Sequence, residues 1–371
     1  MILGDRLASR DNNLNLIRFV AATAVLCSHA WPMTLGRGTP EPLEAATGVS
    51  LGRMAVYVFF AASGFLIAAS LARGPTPGDF LRARAARLMP GLAVSLLVVT
   101  FVLGPLVSER PAEAYLAAPE TWSFVVRNLT LLRPVYELPE VFQSNPYPIV
   151  EGSIWTLRYE VACYAALALA AFAGLLAARR AATVVLALWI AAAVAQQAAA
   201  IAVPYDIDRL CLLSPPFALG ALAFLWRDRL PLSFAAAGLL LAAALAAPAA
   251  LRPAAIAAAL AYGTLVVAVR PAGRIRAFNR AGDYSYGIYV YAVPVQALAV
   301  WALGPMTPAW NIAVALPATL ALAALSWHLV ERPALLAARG RAAAGRAAGA
   351  AQAQIARPAR IAEAARTARP A

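Results

Sequence analysis

The chain has 371 residues, of which 62% are hydrophobic and only 13% are charged. Soluble domains are about 45–50% apolar and about 25% charged, so this composition excludes a disordered chain, a coiled coil and a typical soluble enzyme. The net charge is +13, and all 31 basic residues are arginine. A basic balance alone suits nucleic acid, but a nucleic-acid-binding protein has no need for so much apolar sequence. The composition therefore indicates a protein that lies in lipid and binds no nucleic acid.

Ten apolar segments approach the length of about 20 residues that a transmembrane helix needs. The first contains Arg18 and His29 and lacks a small-residue cleavage site, which favours a retained helix over a signal peptide. The predicted fold is therefore all-α, a polytopic integral membrane bundle of about ten transmembrane helices. The predicted spans are 14–33, 53–72, 89–108, 154–178, 182–202, 211–226, 232–249, 254–269, 285–303 and 309–331.

The arginines set the predicted orientation, because basic residues concentrate on the cytoplasmic side of membrane proteins. With the N-terminus inside and the spans alternating, 22 arginines fall in inner segments and seven in outer ones. This asymmetry predicts an N-in, C-in topology. We expect residues 1–333 to form one transmembrane domain, and residues 334–371 to form an Ala/Arg-rich, low-complexity cytoplasmic tail.

Ionisable side chains within membrane helices are costly and therefore mark candidate sites. Arg18 and His29 are eleven residues apart, which is 20° more than three helical turns and about 16 Å along the axis. They share one helix face, which indicates a polar-lined cavity. The alternative is that Arg18 extends to the inner headgroups and that His29 packs without a catalytic role.

The second span contains Ser63 and Gly64, a pair that permits close approach of a neighbouring helix. No G-x-S-x-G turn surrounds Ser63, so a catalytic serine is the weaker interpretation. A segment expected to be a cytoplasmic loop follows, with Arg82, Arg84 and Arg87 at a helix entrance. Three arginines in six residues suit a phosphate clamp, although positive-inside anchoring is the competing explanation and the one that composition alone favours.

The fourth span places Glu160 near its outer end, at the depth expected for His29. A carboxylate beside an imidazole orients the ring, so Glu160 is a candidate catalytic partner of His29. The alternative is a structural contact with Arg158 or a tyrosine. Tyr286 and Tyr289 lie near the inner boundary, where belt residues are common, and Glu331 lies there too, within reach of basic partners.

The remaining reactive residues give no metal or disulfide pattern. The three cysteines lie in apolar runs at wide spacings, and two histidines alone cannot form a multi-ligand metal centre. The longest outer segment, about 109–153, has six glutamates and a proline-bearing stretch that indicates an ordered loop. That loop either covers an outer cavity or simply connects two helices.

Six segments in this order resemble the membrane-bound acyltransferase family 3, the bacterial O-acyltransferases of surface polysaccharides and related acceptors. The resemblance extends from about residue 12 to residue 333. Thr156 stands where serine is common, and Ala292 stands where many members have histidine. The segments are NLNLIRFVAATAVLCSHA, VYVFFAASGFLI, FLRARAARLMPG, SIWTLRYEVACY, YSYGIYVYAVPVQ and LVERP.

The resemblance implies a multi-pass protein of the bacterial inner membrane that transfers an acyl group, usually acetyl, from acyl-CoA to a carbohydrate hydroxyl. No metal cofactor is implied. By position, Arg18, His29 and Glu160 match catalytic positions, and Arg84 and Arg87 match an arginine pair that we assign, with Arg82 and Arg18, to acyl-CoA. Further candidates in matched segments are Ser63, Gly64, Tyr164, Tyr286, Tyr289 and Glu331.

The expected acceptor is an exopolysaccharide, a lipopolysaccharide O-antigen or a lipid-linked oligosaccharide. His29 would either deprotonate the acceptor hydroxyl or carry the acyl group. Two alternatives remain open at this point. One is a transporter or flippase for a lipid-linked sugar, although the sequence has no clear internal repeat of the kind that transporters often show. The other is O-acylation of a small molecule.

Overall fold

The computed structural model describes Leu3 and residues 12–341. That part of the chain is a bundle of helices, as the composition predicts. In chain order the ten longest are α1 Leu14–Leu35, α2 Leu51–Leu71, α3 Pro77–Val98, α4 Leu157–Phe172, α5 Arg179–Ala198, α6 Tyr205–Leu225, α7 Phe234–Ala246, α8 Arg252–Val269, α9 Ser285–Leu303 and α10 Pro308–Ser326.

Shorter helical turns connect or extend these helices. Two π-helical turns prolong α3 and α10, so that the first is helical to Val107 and the second to Arg341. The short segments are Pro42–Thr47, Val99–Leu103, Gly104–Val107, Ala112–Ala117, Pro119–Thr130, Ser153–Thr156, Leu175–Ala177, Arg274–Arg280 and Trp327–Glu331. The predicted boundary at residue 333 thus falls within the extension of α10, and the tail from residue 342 lies outside the described residues.

Eight of the described helices are long and apolar enough to cross a membrane, which makes the chain a multi-pass membrane protein. The two predicted spans outside this set correspond to α4 and α7, with 16 and 13 residues. At 1.5 Å per residue they are about 24 and 20 Å long. The predicted span at 154–178 is shorter because a 3₁₀ turn precedes it and Gly174, at φ +81°, follows it.

Helix α3 begins twelve residues before the predicted span at 89–108. The Thr76 hydroxyl caps it by accepting a hydrogen bond from the Asp79 amide at 3.1 Å, and Pro77 occupies its first turn. Arg82, Arg84 and Arg87 therefore lie on a helix, and the prediction of a cytoplasmic loop was wrong. The helix turns Arg82 away from the side on which Arg84 and Arg87 lie, which decides their roles below.

Two helix contacts fix the framework around the centre. A Cβ atom added at Gly64 of α2 would lie 1.9 Å from the Phe217 carbonyl oxygen of α6, and one at Gly220 would lie 2.0 Å from the Ala61 oxygen. The backbones of α2 and α6 thus touch, which confirms the close approach predicted for the Ser-Gly pair.

The outer segment between α3 and α4 is ordered, as predicted. The Asn128 amide group accepts a hydrogen bond from the Val135 amide at 2.8 Å and donates one to its carbonyl oxygen at 2.9 Å. Further along, the Asn145 side chain donates to the Ala297 carbonyl oxygen of α9 at 2.9 Å. The segment therefore lies against the outer half of α9.

Candidate active site

A cavity of about 580 Å³ opens among α1, α2, α3, α4 and α9. Its walls begin at the helix ends that the arginine distribution assigns to the cytoplasm. They reach Val56 of α2, which is fifteen residues, or about 22 Å, from the inner end at Leu71. The polar lining consists of Asn12, Asn15, Arg18, Ser63, Ser70, Arg73, Arg84, Arg87, Thr156, Glu160, Tyr164, Asn279, Asp283, Ser285, Tyr286, Tyr289 and Arg339.

One carboxylate holds two of the predicted arginines in the cavity wall. Oδ2 of Asp283 lies 2.6 Å from Nη1 of Arg18 and 2.7 Å from Nη2 of Arg87. Burial raises the pKa of Asp283, but the guanidinium groups of Arg18 and Arg87 and a hydrogen bond from Ser285 outweigh burial and hold it at about 2. Asp283 therefore stays ionised and fixes both arginines.

The position of Asp283 depends on the turn before α9. Gly282 has φ +116°, and a Cβ atom there would lie 2.3 Å from Nε1 of Trp327, so both conformation and space require glycine. The Asn15 side chain donates to the Gly282 carbonyl oxygen at 2.7 Å, and the Ser285 hydroxyl donates to Asp283 at 2.5 Å. No sequence motif had marked Asp283 as a site residue.

Arg87 has a second acidic partner, which connects the last predicted motif to the site. Its Nη1 lies 3.5 Å from Oε2 of Glu331, and the Ser326 hydroxyl donates to the other oxygen of Glu331 at 2.9 Å. Glu331 is buried behind the cavity wall and is not part of the lining. The expected pairing of Glu331 with the arginine segment is thus present, through Arg87.

Glu160 is engaged on the opposite wall. The Ser63 hydroxyl donates to its Oε1 at 2.9 Å, and the Tyr164 hydroxyl donates to the same oxygen. These three side chains form a polar cluster at mid-depth, because Ser63 lies eight residues, or about 12 Å, from the inner end of α2. The hydrogen bonds of Glu160 therefore go to Ser63 and Tyr164 and not to His29.

The arginines nearest the cavity mouth differ in their partners. Arg84 lies over the Phe80 ring at 5.9 Å, and its buried Nε has no hydrogen-bond partner. Arg73 and Arg339 also line the mouth, and neither has an ion-pair partner in the described part of the chain. Arg82 is 46% exposed, pairs with Asp79 at 3.1 Å and lies outside the cavity.

Arg73 and Arg339 were not predicted as site residues. Arg73 belongs to the inner arginines that follow the second span, so a weak signal existed. Arg339 lies on the helical extension of α10, within a stretch predicted to be low-complexity tail.

Tyr286 and Tyr289 line the cavity and are buried, so their interpretation as belt residues was wrong. The Tyr286 hydroxyl donates to the Leu88 carbonyl oxygen at 2.7 Å. The Tyr289 hydroxyl donates to the Ser153 carbonyl oxygen at 2.7 Å and lies 2.5 Å from Oγ1 of Thr156. Thr156 and Tyr289 thus lie together in the wall of the cavity.

His29 lies at the depth of Val56, which lines the cavity, but is not itself part of the lining. It is fifteen residues from the inner end of α1 at Leu14, as Val56 is from the inner end of α2. Its ring is partly exposed, while its Nδ1 is buried without a hydrogen-bond partner. Arg18 and His29 thus share a helix face, but only Arg18 faces the cavity.

Comparisons with known proteins agree with the motif order. A family profile described as an acyltransferase domain, of acyltransferase family 3, matches residues 11–328. The chain is 30% identical over 161 residues to an O-acetyl transferase of Shigella phage Sf6, which covers 42% of this chain and 44% of that protein. It thus matches less than half the length of this relative.

A second relative is matched over most of its length. The chain is 29% identical over 357 residues to nodulation protein 10 of Rhizobium leguminosarum bv. viciae, which covers 87% of this chain and 93% of that protein. No solved structure matches the chain.

Proposed function

Because this chain belongs to acyltransferase family 3, we propose that it is a membrane O-acyltransferase that moves an acetyl group from acetyl-CoA to a carbohydrate hydroxyl. The carbohydrate is a surface polysaccharide or its lipid-linked precursor, and the membrane is the bacterial cytoplasmic membrane. One observation carries this proposal. A single cavity joins an arginine-lined mouth at the inner helix ends to a polar cluster deep in the bundle.

The mouth suits the phosphates of coenzyme A. Arg73, Arg84 and Arg339 face it without acidic ion-pair partners among the described residues, so their charge is available to an anionic ligand. Guanidinium groups bind phosphates in bidentate geometry. Arg18 and Arg87 are already paired with Asp283, so their role is to form a fixed part of the cavity wall. The volume of about 580 Å³ lies within the usual range for small-molecule sites.

The depth of the cavity suits the pantetheine arm of coenzyme A. The axial distance from Arg18 to His29 is about 16 Å, so an arm of that length that enters past Arg18 extends to the depth of His29. In the proposed reaction His29 takes the proton of the acceptor hydroxyl, and the oxygen attacks the thioester carbonyl carbon. The C–S bond then breaks, and the proton passes to the leaving coenzyme A thiolate. Direct acylation of His29 is the two-step variant.

The experiment uses purified protein in lipid vesicles with radiolabelled acetyl-CoA and a panel of glycan acceptors. Label on a glycan, lost in His29→Ala protein that inserts and folds normally, supports the proposal. Movement of unmodified lipid-linked sugar across the vesicle membrane without label transfer supports the transporter alternative. Label on a small-molecule acceptor alone would leave an acyltransferase and replace the carbohydrate.

A further inference from the structure

The first turn of α4 has two faces with different surroundings. Leu157 and Glu160 line the donor cavity. Arg158 and Tyr159 are rotated by about 100° and 200° from Leu157, so they leave the cavity side of the helix. Both contact Asp206 of α6: Nη2 of Arg158 lies 2.9 Å from Oδ2, and the Tyr159 hydroxyl donates to Oδ1 at 3.1 Å. The same helical turn thus lies between the cavity and a second group of polar side chains.

This second group lies at the end of the bundle opposite to the cavity mouth. Helix α4 ends on the mouth side, because the Phe172 ring packs on the Phe80 ring near the beginning of α3, with centroids 6.4 Å apart. Helix α6 runs in the same direction as α4, since Asp206 contacts the first turn of α4 and the Phe217 ring lies 6.1 Å from the Tyr164 ring further along. Asp206 therefore lies at the end that the arginine distribution assigns to the outside.

Aromatic rings surround the Arg158–Asp206 ion pair. The Trp155 ring lies 6.0 Å from the Tyr159 ring, nearly perpendicular to it. The guanidinium group of Arg158 lies over the Tyr159 ring at 5.2 Å. Tyr205, the first residue of α6, is 67% exposed.

The ordered outer segment adds Tyr136 to this group. The Tyr136 carbonyl oxygen accepts hydrogen bonds from the amides of Val150 and Glu151 at 2.7 and 3.2 Å, just before the turn that begins α4. The Tyr136 side chain lies within electrostatic reach of Arg158, Asp206 and Tyr205. We call the complete set the Asp206 patch, and it consists of Tyr136, Trp155, Arg158, Tyr159, Tyr205 and Asp206.

A belt of aromatic residues that face lipid is the ordinary explanation for tyrosine and tryptophan at helix ends. The ion pair within the patch does not fit that explanation, because charged groups in contact with hydrocarbon are costly. The side chain of Asp206 is 55% exposed and that of Arg158 is 24% exposed, so the pair is accessible from outside the protein. The patch therefore suits a polar ligand rather than a lipid chain.

The chemistry of the patch matches a sugar ring. A pyranose has faces of C–H groups, which pack on flat aromatic surfaces, and a rim of hydroxyl groups. A carboxylate accepts hydrogen bonds from hydroxyl groups, and a guanidinium group donates to them. Arg158 is already paired with Asp206, so an anionic group gains less here than at Arg84, whose buried Nε has no hydrogen-bond partner.

We propose that the Asp206 patch binds the carbohydrate acceptor, which approaches from the end of the bundle opposite to the donor. This inference rests on the proposed function above and deepens it by giving the acceptor its own binding surface. The patch lies beside the turn of α4 that lines the donor cavity, so an acceptor bound there is held next to the wall of that cavity. Its residues bind the sugar and take no part in the transfer step, so their loss acts on the acceptor KM.

The test uses Tyr205→Ala and Asp206→Asn in the radiolabelled acetyl-CoA assay, with protein in detergent micelles so that both ends of the bundle are open. The acceptor is the glycan identified with the vesicles. Both positions are more than half exposed, so we expect folding and the KM for acetyl-CoA to be retained. We expect the acceptor KM to rise at least about threefold in each variant, the scale of one aromatic contact.

Two matched controls separate sugar binding from general effects at helix ends. Trp310→Ala removes an aromatic side chain that is 58% exposed, at the third position of α10. Asp228→Asn removes an aspartate that is 56% exposed and pairs with Arg179 at 2.5 Å, as Asp206 pairs with Arg158. Both controls should keep the wild-type acceptor KM.

An acceptor KM within twofold of wild type in both Tyr205→Ala and Asp206→Asn overturns the inference. An equal rise in the two controls also overturns it, because the effect would then belong to helix ends in general. Absence of label transfer by wild-type protein would instead overturn the proposed function.

Discussion

Replacement of Asp283 by asparagine tests whether one carboxylate organises the donor cavity. Asparagine keeps the shape of the side chain but removes the charge that Arg18 and Arg87 share, at 2.6 and 2.7 Å. Asp283 is only 18% exposed, so water screens these ion pairs poorly. The variant leaves two neighbouring guanidinium groups without their common counter-charge.

The magnitude follows from the pKa of Asp283, which falls from an ordinary 3.8 to about 2 in the folded chain. One pKa unit corresponds to about 1.4 kcal/mol, so the ionised carboxylate contributes about 2 to 3 kcal/mol. Because the folded pKa is the lower one, this contribution is complete above about pH 4. It is lost as the pH falls toward 2. Breaking a buried pair from one side costs about 3–5 kcal/mol at most, which agrees in scale.

The assay is thermal unfolding of purified protein in detergent near pH 7, with Glu140→Gln as the matched control. Glu140 pairs with Arg110 at 2.9 Å, but both side chains are more than a third exposed, so its loss should cost less than about 1 kcal/mol. We expect Asp283→Asn to lower Tm by about 4 to 10 °C and Glu140→Gln by far less. Equal Tm values for Asp283→Asn and wild type would refute this account of the arginine wall.

Three further predictions concern the helix contact, the mouth and the mid-depth cluster. Gly64→Ala should prevent stable packing of α2 on α6, at a cost of about 3 kcal/mol or more. Gly263→Ala is the control: its added methyl group meets no atom within 4 Å, so it should be neutral or slightly stabilising. The Tm and the monodispersity of the two purified variants in detergent distinguish these outcomes. Arg84→Ala should raise the acetyl-CoA KM at least about tenfold, while Arg82→Ala leaves it unchanged; equal KM values in steady-state kinetics would remove Arg84 from the donor site. Ser63→Ala should cost less than about 1.5 kcal/mol of stability, and a kcat drop at unchanged KM would place the Ser63–Glu160 hydrogen bond in the transfer step.

The sequence predicted the features that depend on local pattern. Membrane helices, their approximate bounds and the Ser-Gly contact follow from runs of apolar and small residues. The different positions of Arg82 and Arg84, outside and inside the cavity lining, also follow from local geometry once the segment is recognised as a helix. Two residues are 200° of rotation, so Arg82 and Arg84 face nearly opposite directions, and only one of them faces the cavity. The apolar run of the predicted span begins only near residue 89, so the segment before it was expected to be a loop, whereas the capping Thr76 marks the helix start.

The partners of the ionisable residues were beyond prediction from local pattern. Asp283 is 265 residues from Arg18 in the chain, and its role depends on a glycine turn held by Asn15 and Trp327. Glu160 was placed at the depth of His29 by counting along its own helix. The structure instead gives it to Ser63, because α4 begins after a 3₁₀ turn and packs against α2 at that level.

The separation of Glu160 from His29 changes how the face of α1 is understood. Arg18 and His29 share that face, yet their environments differ because different neighbours cover its two halves. Near Arg18 the neighbours are α3 and the turn before α9, which supply an ion-pair network and an open cavity. Near His29 the neighbour is α9, whose Gln296 side chain donates to the Leu26 carbonyl oxygen at 3.0 Å, one turn before His29. In the proposed reaction, α1 thus presents Arg18 to the acyl-CoA donor and His29 to the acceptor hydroxyl.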